Sequence, residues 1–372
     1  MGPVQTVIHM LRAGFALTFF VVTGLMINTA EALTLVLLPF SLKTYRIANK
    51  ILVGIHWPIL VWFIEKWANV SIKMYGDPVP AGETALGLLN HKSDIDWVIG
   101  FAFCGRKCIL GALKVIVKTG HKMIPIFGVM EQFVEFIFVN RDWQRDRHSL
   151  DMGLKNLATY PKPFWFIVFP EGTRFTQAKK QDNQEWSKEN GKPVLNHLLW
   201  PRTKAFLMTV ELLGETIDFV YDATIVFDKD VSFFDMLKGN GNTSVHFHVR
   251  RFPMAALSKM SHSELEAWLE QQWVEKDALL ETYHTHGSYK LPENIAERPM
   301  RSEIYVYSWL VLLASLAVTA YMLMPSSVWF WLQVGLAFLM LFIAVGVVFL
   351  QSQLSPSAKG TKGGSQKAKK AQ

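Results

Sequence analysis

Two uninterrupted apolar stretches near the C-terminus, Ile304 to Met324 and Val328 to Leu350, constrain this chain more than any other feature. Each is long enough to cross a hydrocarbon layer of about 30 Å, where the backbone must satisfy its own polar groups as a helix. Pro325-Ser326-Ser327 between them reads as a turn, so the pair forms a hairpin that returns the chain to its starting side. Neither stretch carries a charge after Glu303. At the other end, Ala13 to Leu42 is apolar but interrupted by Asn28, Glu31 and Pro39. One spanning helix or a helical hairpin dipping into one leaflet both fit it, whereas its length and polar breaks argue against a cleaved signal peptide. Ile51 to Phe63, flanked by Lys50 and Glu65-Lys66 with Trp57, Trp62 and Trp67, is too short to span. It is expected as an interfacial helix with its indole rings at headgroup depth.

Charge distribution sets the topology. The net charge is +7, and five of the lysines lie in 351–372, a tail without acidic residues. The remainder is nearly neutral, which excludes a nucleic-acid-binding surface. Lys43, Arg46 and Lys50 follow the first apolar stretch, Arg298 and Arg301 precede the hairpin, and the lysine tail follows it. The positive-inside rule places all three clusters, and the domain between them, in the cytosol. The expected divisions are N-terminal membrane and interfacial helices (1–76), a cytosolic α/β domain (77–300), a transmembrane hairpin (301–350) and a basic disordered tail (351–372). The ending Lys369-Lys370-Ala371-Gln372 resembles the dilysine retrieval signal of endoplasmic-reticulum membrane proteins, which coat proteins recognise. A basic tail brushing anionic lipid is the competing reading.

Within the central domain, strand-like runs (Thr84–Leu89, Ala112–Val117, Phe164–Phe169, Asp218–Val226, Ser244–Val249) alternate with helical patterns (Ser93–Phe103, Trp143–Thr159, Lys204–Leu213, His262–Tyr283). The alternation predicts an α/β fold with a central sheet flanked by helices. Cys104 and Cys108 have no second pair to complete a zinc site and read as reduced thiols. His246 and His248 share a strand face without a third ligand nearby, so no metal is implied. The sequons at Asn69 and Asn242 would face the cytosol and go unused.

Two motifs carry the chemistry. In Asn90-His91-Lys92-Ser93-Asp94-Ile95-Asp96-Trp97, a strand ends at His91 and Ser93 is expected to cap the next helix. Asp96 can fold back to His91, fixing its tautomer so that the other ring nitrogen accepts a proton from a substrate hydroxyl. The same Ser93-x-x-Asp96 spacing also fits a capping box, and Asp94 is an acid of the helix's first turn. In Phe169-Pro170-Glu171-Gly172-Thr173-Arg174, a buried strand breaks into a glycine turn whose amides and arginine suit a phosphate. An ordinary strand exit with a surface arginine is the bland alternative. Asn140-Arg141 after an apolar run, and Pro201-Arg202-Thr203-Lys204 before a helix, add two more basic loops.

The order NHxxxxD, strand-Asn-Arg, FPEGTR, Pro-Arg-Thr-Lys, spanning Asn90 to Lys204, resembles the glycerolipid acyltransferase family, in particular the eukaryotic 1-acyl-sn-glycerol-3-phosphate acyltransferases. The resemblance implies that His91 is the general base and Asp96 its partner. It also implies that Glu171, Gly172, Thr173 and Arg174 hold the glycerol phosphate, assisted by Arg141 and by Arg202 or Lys204. Asn140 stands where the family more commonly has aspartate, which weakens the assignment of Arg141. The implied reaction moves an acyl group from acyl-CoA, a co-substrate, to lysophosphatidic acid without a cofactor, at the endoplasmic-reticulum membrane. Acylation of another lysophospholipid (lysophosphatidylinositol or lysocardiolipin), or a membrane-shaping scaffold with the same fold, are the alternatives.

Overall fold

The computed structural model describes residues 3–107, 109–293, 300–323, 328, 330–333 and 335. The strands are β1 (Val70–Gly76), β2 (Ala85–Leu89), β3 (Leu113–Lys118), β4 (Ile137–Val139), β5 (Trp165–Val168), β6 (Phe219–Phe227) and β7 (Thr243–Pro253). They form one mixed sheet in the order β1-β7-β6-β2-β5-β3-β4. The five strands from β6 to β4 run parallel, while β7 pairs antiparallel with β6 and carries β1 parallel to itself. Every residue of β2 and β5 is buried. Their sequences are therefore continuous apolar runs, as strands covered on both faces require.

All five expected strands are present. The two edge strands β1 and β4 are additional, and Val70-Ser71-Ile72-Lys73-Met74 of β1 alternates apolar and polar as a half-covered edge does. The sheet therefore begins ahead of the boundary at 76/77, because this segment pairs with β7 from Val70 onward. The calls on Cys108, Arg298, Pro325–Ser327, most of Val328–Leu350 and the tail with Lys369-Lys370 lie outside the described residues.

The helices are α1 (Pro3–Thr34), α2 (Leu42–His56), α3 (Pro58–Trp62), α4 (Asp96–Gly105), α5 (Phe127–Phe133), α6 (Trp143–Ala158), α7 (Gln177–Glu189), α8 (Lys204–Leu213), α9 (Phe233–Lys238), α10 (Met254–Leu257), α11 (His262–His286) and α12 (Ser302–Leu323). One apolar core joins a sheet face to residues of α1 to α5, α9 and α12; a second joins the other face to α6, α8, α10 and α11. Lys276 of α11 crosses the second core, donating to the carbonyls of Leu88 (3.0 Å) and Ala223 (2.6 Å) and pairing with Asp222 (2.8 Å). A cation so deeply buried is tolerated because each donor has a partner.

Helices Val4–Leu37, Leu42–Trp67 and Ser302–Leu323 are long and apolar enough to cross a membrane. The N-terminal stretch is one long helix that meets α2 through a turn at Pro39, and Ser41 caps α2 by accepting from the Thr44 amide. The expectation of a short interfacial helix at Ile51–Phe63 is corrected. This segment belongs to a 26-residue helical run whose apolar window is 56% buried. Trp57 is 1% exposed and stacks on Phe101 of α4 at 4.5 Å, and the Trp67 indole N–H donates to the Leu237 carbonyl. The sheet's helices offer these indoles a closer apolar partner than headgroups would. Arg46 is likewise more than a topology signal. It is buried, and its guanidinium forks onto both oxygens of Glu135 (2.6 and 2.7 Å), while Lys50 donates to the Pro163 carbonyl.

Removing one partner of a buried ion pair strands the other, so Arg46→Ala is expected to destabilise the protein by about 3 kcal/mol. Thermal unfolding of detergent-solubilised protein measures this, and an unchanged midpoint would show that the fork contributes nothing.

Candidate active site

His91 leaves the carboxyl end of β2, where open α/β sheets bind ligands. Asn90 fixes this exit. Its side chain donates to the Ile225 carbonyl (2.9 Å) and accepts from the Ile225 amide (2.7 Å), extending the β2–β6 ladder by one side-chain rung. The His91 carbonyl accepts from the Phe175 amide (2.7 Å), and its ring leans on Phe169 at 4.7 Å. His91 Nδ1 lies 2.9 Å from Asp96 Oδ2. A carboxylate can only accept here, so this contact assigns the proton to Nδ1 and leaves Nε2 as a proton acceptor.

The competing readings of Asp96 turn out to share one oxygen. Oδ2 also accepts from the amides of Lys92 (2.6 Å) and Ser93 (2.8 Å), which is half of a capping box. The other half is absent in its usual form: the Ser93 hydroxyl oxygen accepts from the Ile95 amide (3.3 Å) rather than from Asp96 while the hydroxyl donates to the Val231 carbonyl (3.0 Å), and α4 begins at Asp96, after Ile95, with no side-chain cap. Ser93 is therefore not the N-cap. Asp96 is fully buried, and burial pushes its pKa up against the hydrogen bonds from His91, Ser93 and Lys92.

Glu171 is corrected from phosphate ligand to anchor. It is 2% exposed, with Oε1 accepting from the His91 amide (2.9 Å) and Oε2 from the Leu199 amide (3.1 Å). A buried carboxylate with both oxygens spent, itself anionic when charged, has nothing to offer a phosphate. Gly172 adopts φ +66°, and a Cβ there would come within 3.1 Å of the Arg202 side chain. Glycine lets Arg202 lie against the turn, and the Arg202 amide donates to the Pro170 carbonyl (2.8 Å). Lys179 of α7 braces the same turn from outside, donating to Thr173 Oγ1 (2.6 Å) and the Arg174 carbonyl (3.0 Å).

His91, Arg141, Gly172, Arg202 and Lys204 line one cavity of about 550 Å³. Thr173 and Arg174 are not part of its lining, and Arg174 is exposed, 3.9 Å from Asp94. Arg141 sits in the left-handed region at φ +68°. Burial lowers its pKa, and the neighbouring Arg202 and Arg174 lower it further, the mark of cations gathered close together. Asp146 holds this loop by accepting from the Asn140 amide (2.7 Å), the Asn140 side chain (3.2 Å) and the Asp142 amide (2.9 Å). An aspartate at 140 would face Asp146 with like charge, so asparagine is the compatible residue here.

Residues 71–227 match the family model described as acyltransferase, and residues 235–310 match the one described as acyltransferase C-terminus. The 1-acyl-sn-glycerol-3-phosphate acyltransferase 2 of Brassica oleracea is 34% identical over 304 residues, 79% of this chain and 77% of that protein. The human 1-acyl-sn-glycerol-3-phosphate acyltransferase gamma is 35% identical over 317 residues, 84% and 83% respectively. The chain belongs to the glycerolipid acyltransferase family. A crystal structure of the 1-acyl-sn-glycerophosphate (LPA) acyltransferase PlsC from Thermotoga maritima aligns with 76% of this chain and 98% of that chain, at a TM-score of 0.47 and 17% identity.

For this acyltransferase the sequence reading missed Lys118, which lines the cavity at the end of β3. Its signal was present, a cation closing an apolar run, as at Arg141. His246 is structural, held between Tyr75 (2.9 Å) and Asp228 (3.1 Å). Among the described residues no group of His, Cys, Asp or Glu is arranged to hold a metal.

Burial pushes the Glu171 pKa from 4.5 up to about 8, although the His91 and Leu199 amides favour its charged form. A carboxyl whose folded pKa is raised stabilises the fold fully at low pH and progressively less as pH rises through about 8. Thermal stability is therefore expected to carry a component that falls between pH about 4.5 and 8. Glu171→Gln, which cannot titrate, should remove that component, and an identical slope in the variant would refute the assignment.

Proposed function

We propose that this acyltransferase transfers a fatty acyl group from acyl-CoA to the sn-2 hydroxyl of 1-acyl-sn-glycerol 3-phosphate, giving phosphatidic acid. The observation that carries the reading is the opening of His91 onto the same cavity as Arg141 and Arg202. A proton acceptor and an anion site share one chamber. The relatives named as 1-acyl-sn-glycerol-3-phosphate acyltransferases support the acceptor.

In this reading Arg141 and Arg202, with Lys118 and Lys204, bind the acceptor's phosphate and so fix its glycerol beside His91. Nε2 takes the proton of the sn-2 hydroxyl as its oxygen attacks the thioester carbonyl. The tetrahedral intermediate collapses, the carbon–sulfur bond breaks, and the imidazolium returns the proton to the CoA thiolate. Asp96 stabilises the transient imidazolium and keeps Nδ1 protonated. Acyl chains of both substrates leave toward α1, α2 and α12. We place the enzyme in the endoplasmic-reticulum membrane with the α/β domain cytosolic. The lysine-rich tail, the Lys369-Lys370 ending that coat proteins would read, and the docking of Arg46 and Lys50 onto the domain support that placement.

His91→Ala is expected to abolish transfer from radiolabelled acyl-CoA to lysophosphatidic acid in isolated membranes, with the protein's abundance unchanged. Retained transfer would overturn the assignment. Asp96→Asn should lower kcat by at least about 10²-fold, because an amide can no longer enforce the Nδ1 tautomer or offset the imidazolium charge.

A further inference from the structure

The loop after β3 carries an apolar tip that the chemistry at His91 does not use. Thr119-Gly120-His121-Lys122-Met123-Ile124-Pro125-Ile126 leads from Lys118, on the cavity wall, to the start of α5. Met123 is 85% exposed, and Ile124 and Val129 are exposed as well. Apolar side chains gathered on a surface mark a contact with something less polar than water.

Three contacts seat this loop on the membrane helices. The Asn28 side chain of α1 donates to the Ile126 carbonyl (3.2 Å). Phe127 stacks on Phe20 of α1 at 4.7 Å. Gly24, between Phe20 and Asn28, leaves room for Ile126, because a Cβ there would collide with the isoleucine side chain. From Phe20 the ring contacts continue to His56 (4.9 Å) and on to Trp309 of α12 (6.1 Å). The loop is therefore joined to all three helices that are apolar enough to cross a bilayer. On α1, Leu25 and Leu33 are exposed next to the docked residues, so the tip continues an apolar surface rather than standing alone.

We infer that residues 119–129 make a second bilayer contact, separate from the spanning helices. Met123 and Ile124 enter the apolar layer, and Lys122, an exposed cation with its Nζ 4.8 Å from the Phe138 ring, meets anionic lipid phosphates above them. Lys118 then holds the mouth of the cavity at headgroup depth, where a lipid's own phosphate lies. Continuity with α1 favours lipid over a protein partner as the occupant.

The test reads depth directly and needs no acyl transfer, so it stands apart from the proposed reaction. Met123→Cys is labelled with a nitrobenzoxadiazole dye in a Cys108→Ser background, where the buried Cys104 escapes the reagent. The full-length protein is placed in phosphatidylcholine–phosphatidylserine vesicles. The dye is expected to emit to the blue of the same dye on Arg145→Cys of α6. It should also lose at least about half its emission to spin-labelled lipid, as a dye on Leu316→Cys of α12 would. Emission matching that at Arg145→Cys would overturn the contact. A blue shift without quenching would place a protein partner over the tip and overturn it as well. The unlabelled double variant Met123→Asp, Ile124→Asp guards against insertion driven by the dye. It is expected to raise KM for lysophosphatidic acid in these vesicles about tenfold, with KM for a short-chain, water-soluble acyl-CoA within about twofold. An unchanged KM, or equal rises for both substrates, would overturn the contact. Absence of transfer by the unmodified protein would refute the reaction reading and leave the dye to decide the contact.

Discussion

The Glu171 side chain reaches from the turn after β5 to the amide of His91 with one oxygen and to the amide of Leu199 with the other, in a position closed to solvent. His91 begins the loop that leads to Asp96, and Leu199 lies three residues before Arg202 on the loop that carries a cavity cation. Each bond alone is an ordinary hydrogen bond, of about 0.5–1.5 kcal/mol. Their joint effect is geometric, because the two loops share one rigid acceptor and neither can shift without leaving a buried amide unpaired. The Arg202 amide to the Pro170 carbonyl and the Phe175 amide to the His91 carbonyl close the same frame from the backbone side.

The membrane helices are built into that frame. The Arg46 fork onto Glu135, the Lys50 contact with Pro163 and the Trp57 stack on Phe101 join the N-terminal helices to the sheet. Phe101 lies on α4, the helix that Asp96 begins. The helix carrying the partner of His91 thus rests directly on the segment that is apolar enough to cross a bilayer, while the cationic loops open on the other side of the sheet. Under the proposed function this division gives a lipid acceptor separate destinations for its chain and for its head group.

Much of this was readable in the chain. Buried parallel strands are recognisable because their sequences lose alternation, as in Ala85–Leu89 and Trp165–Val168. The order of the motifs was enough to identify the family. What escaped was whatever depends on a partner distant in sequence. Val70–Gly76 is strand-like in pattern, but following an aromatic helix it read as interfacial, and only pairing with Thr243–Val249 makes it an edge. The tryptophans of the second helical run read as headgroup anchors because a sequence does not show that Phe101 of α4 covers Trp57 or that the Leu237 carbonyl of α9 receives the Trp67 indole N–H.

The sequence by itself determined the α/β class and the apolar helices, since residue type and local spacing carry these, and the order of its motifs, through the resemblance they support, named His91, Asp96, Arg141, Arg202 and Lys204 as candidates. Tertiary structure alone decided what each does with its neighbours. It joined the His91 ring and the Lys92 and Ser93 amides on one Asp96 oxygen, turned Glu171 from a supposed phosphate ligand into the anchor of two loops, and left Thr173 and Arg174 outside the lining of the cavity. It also added Lys118 to that lining. The physical reason is that a carboxylate's role depends on which donors surround it. The donors to Glu171, the amides of His91 and Leu199, lie 80 and 28 residues away in the chain and come within 2.9 and 3.1 Å of it through a sheet whose strand order no local pattern encodes.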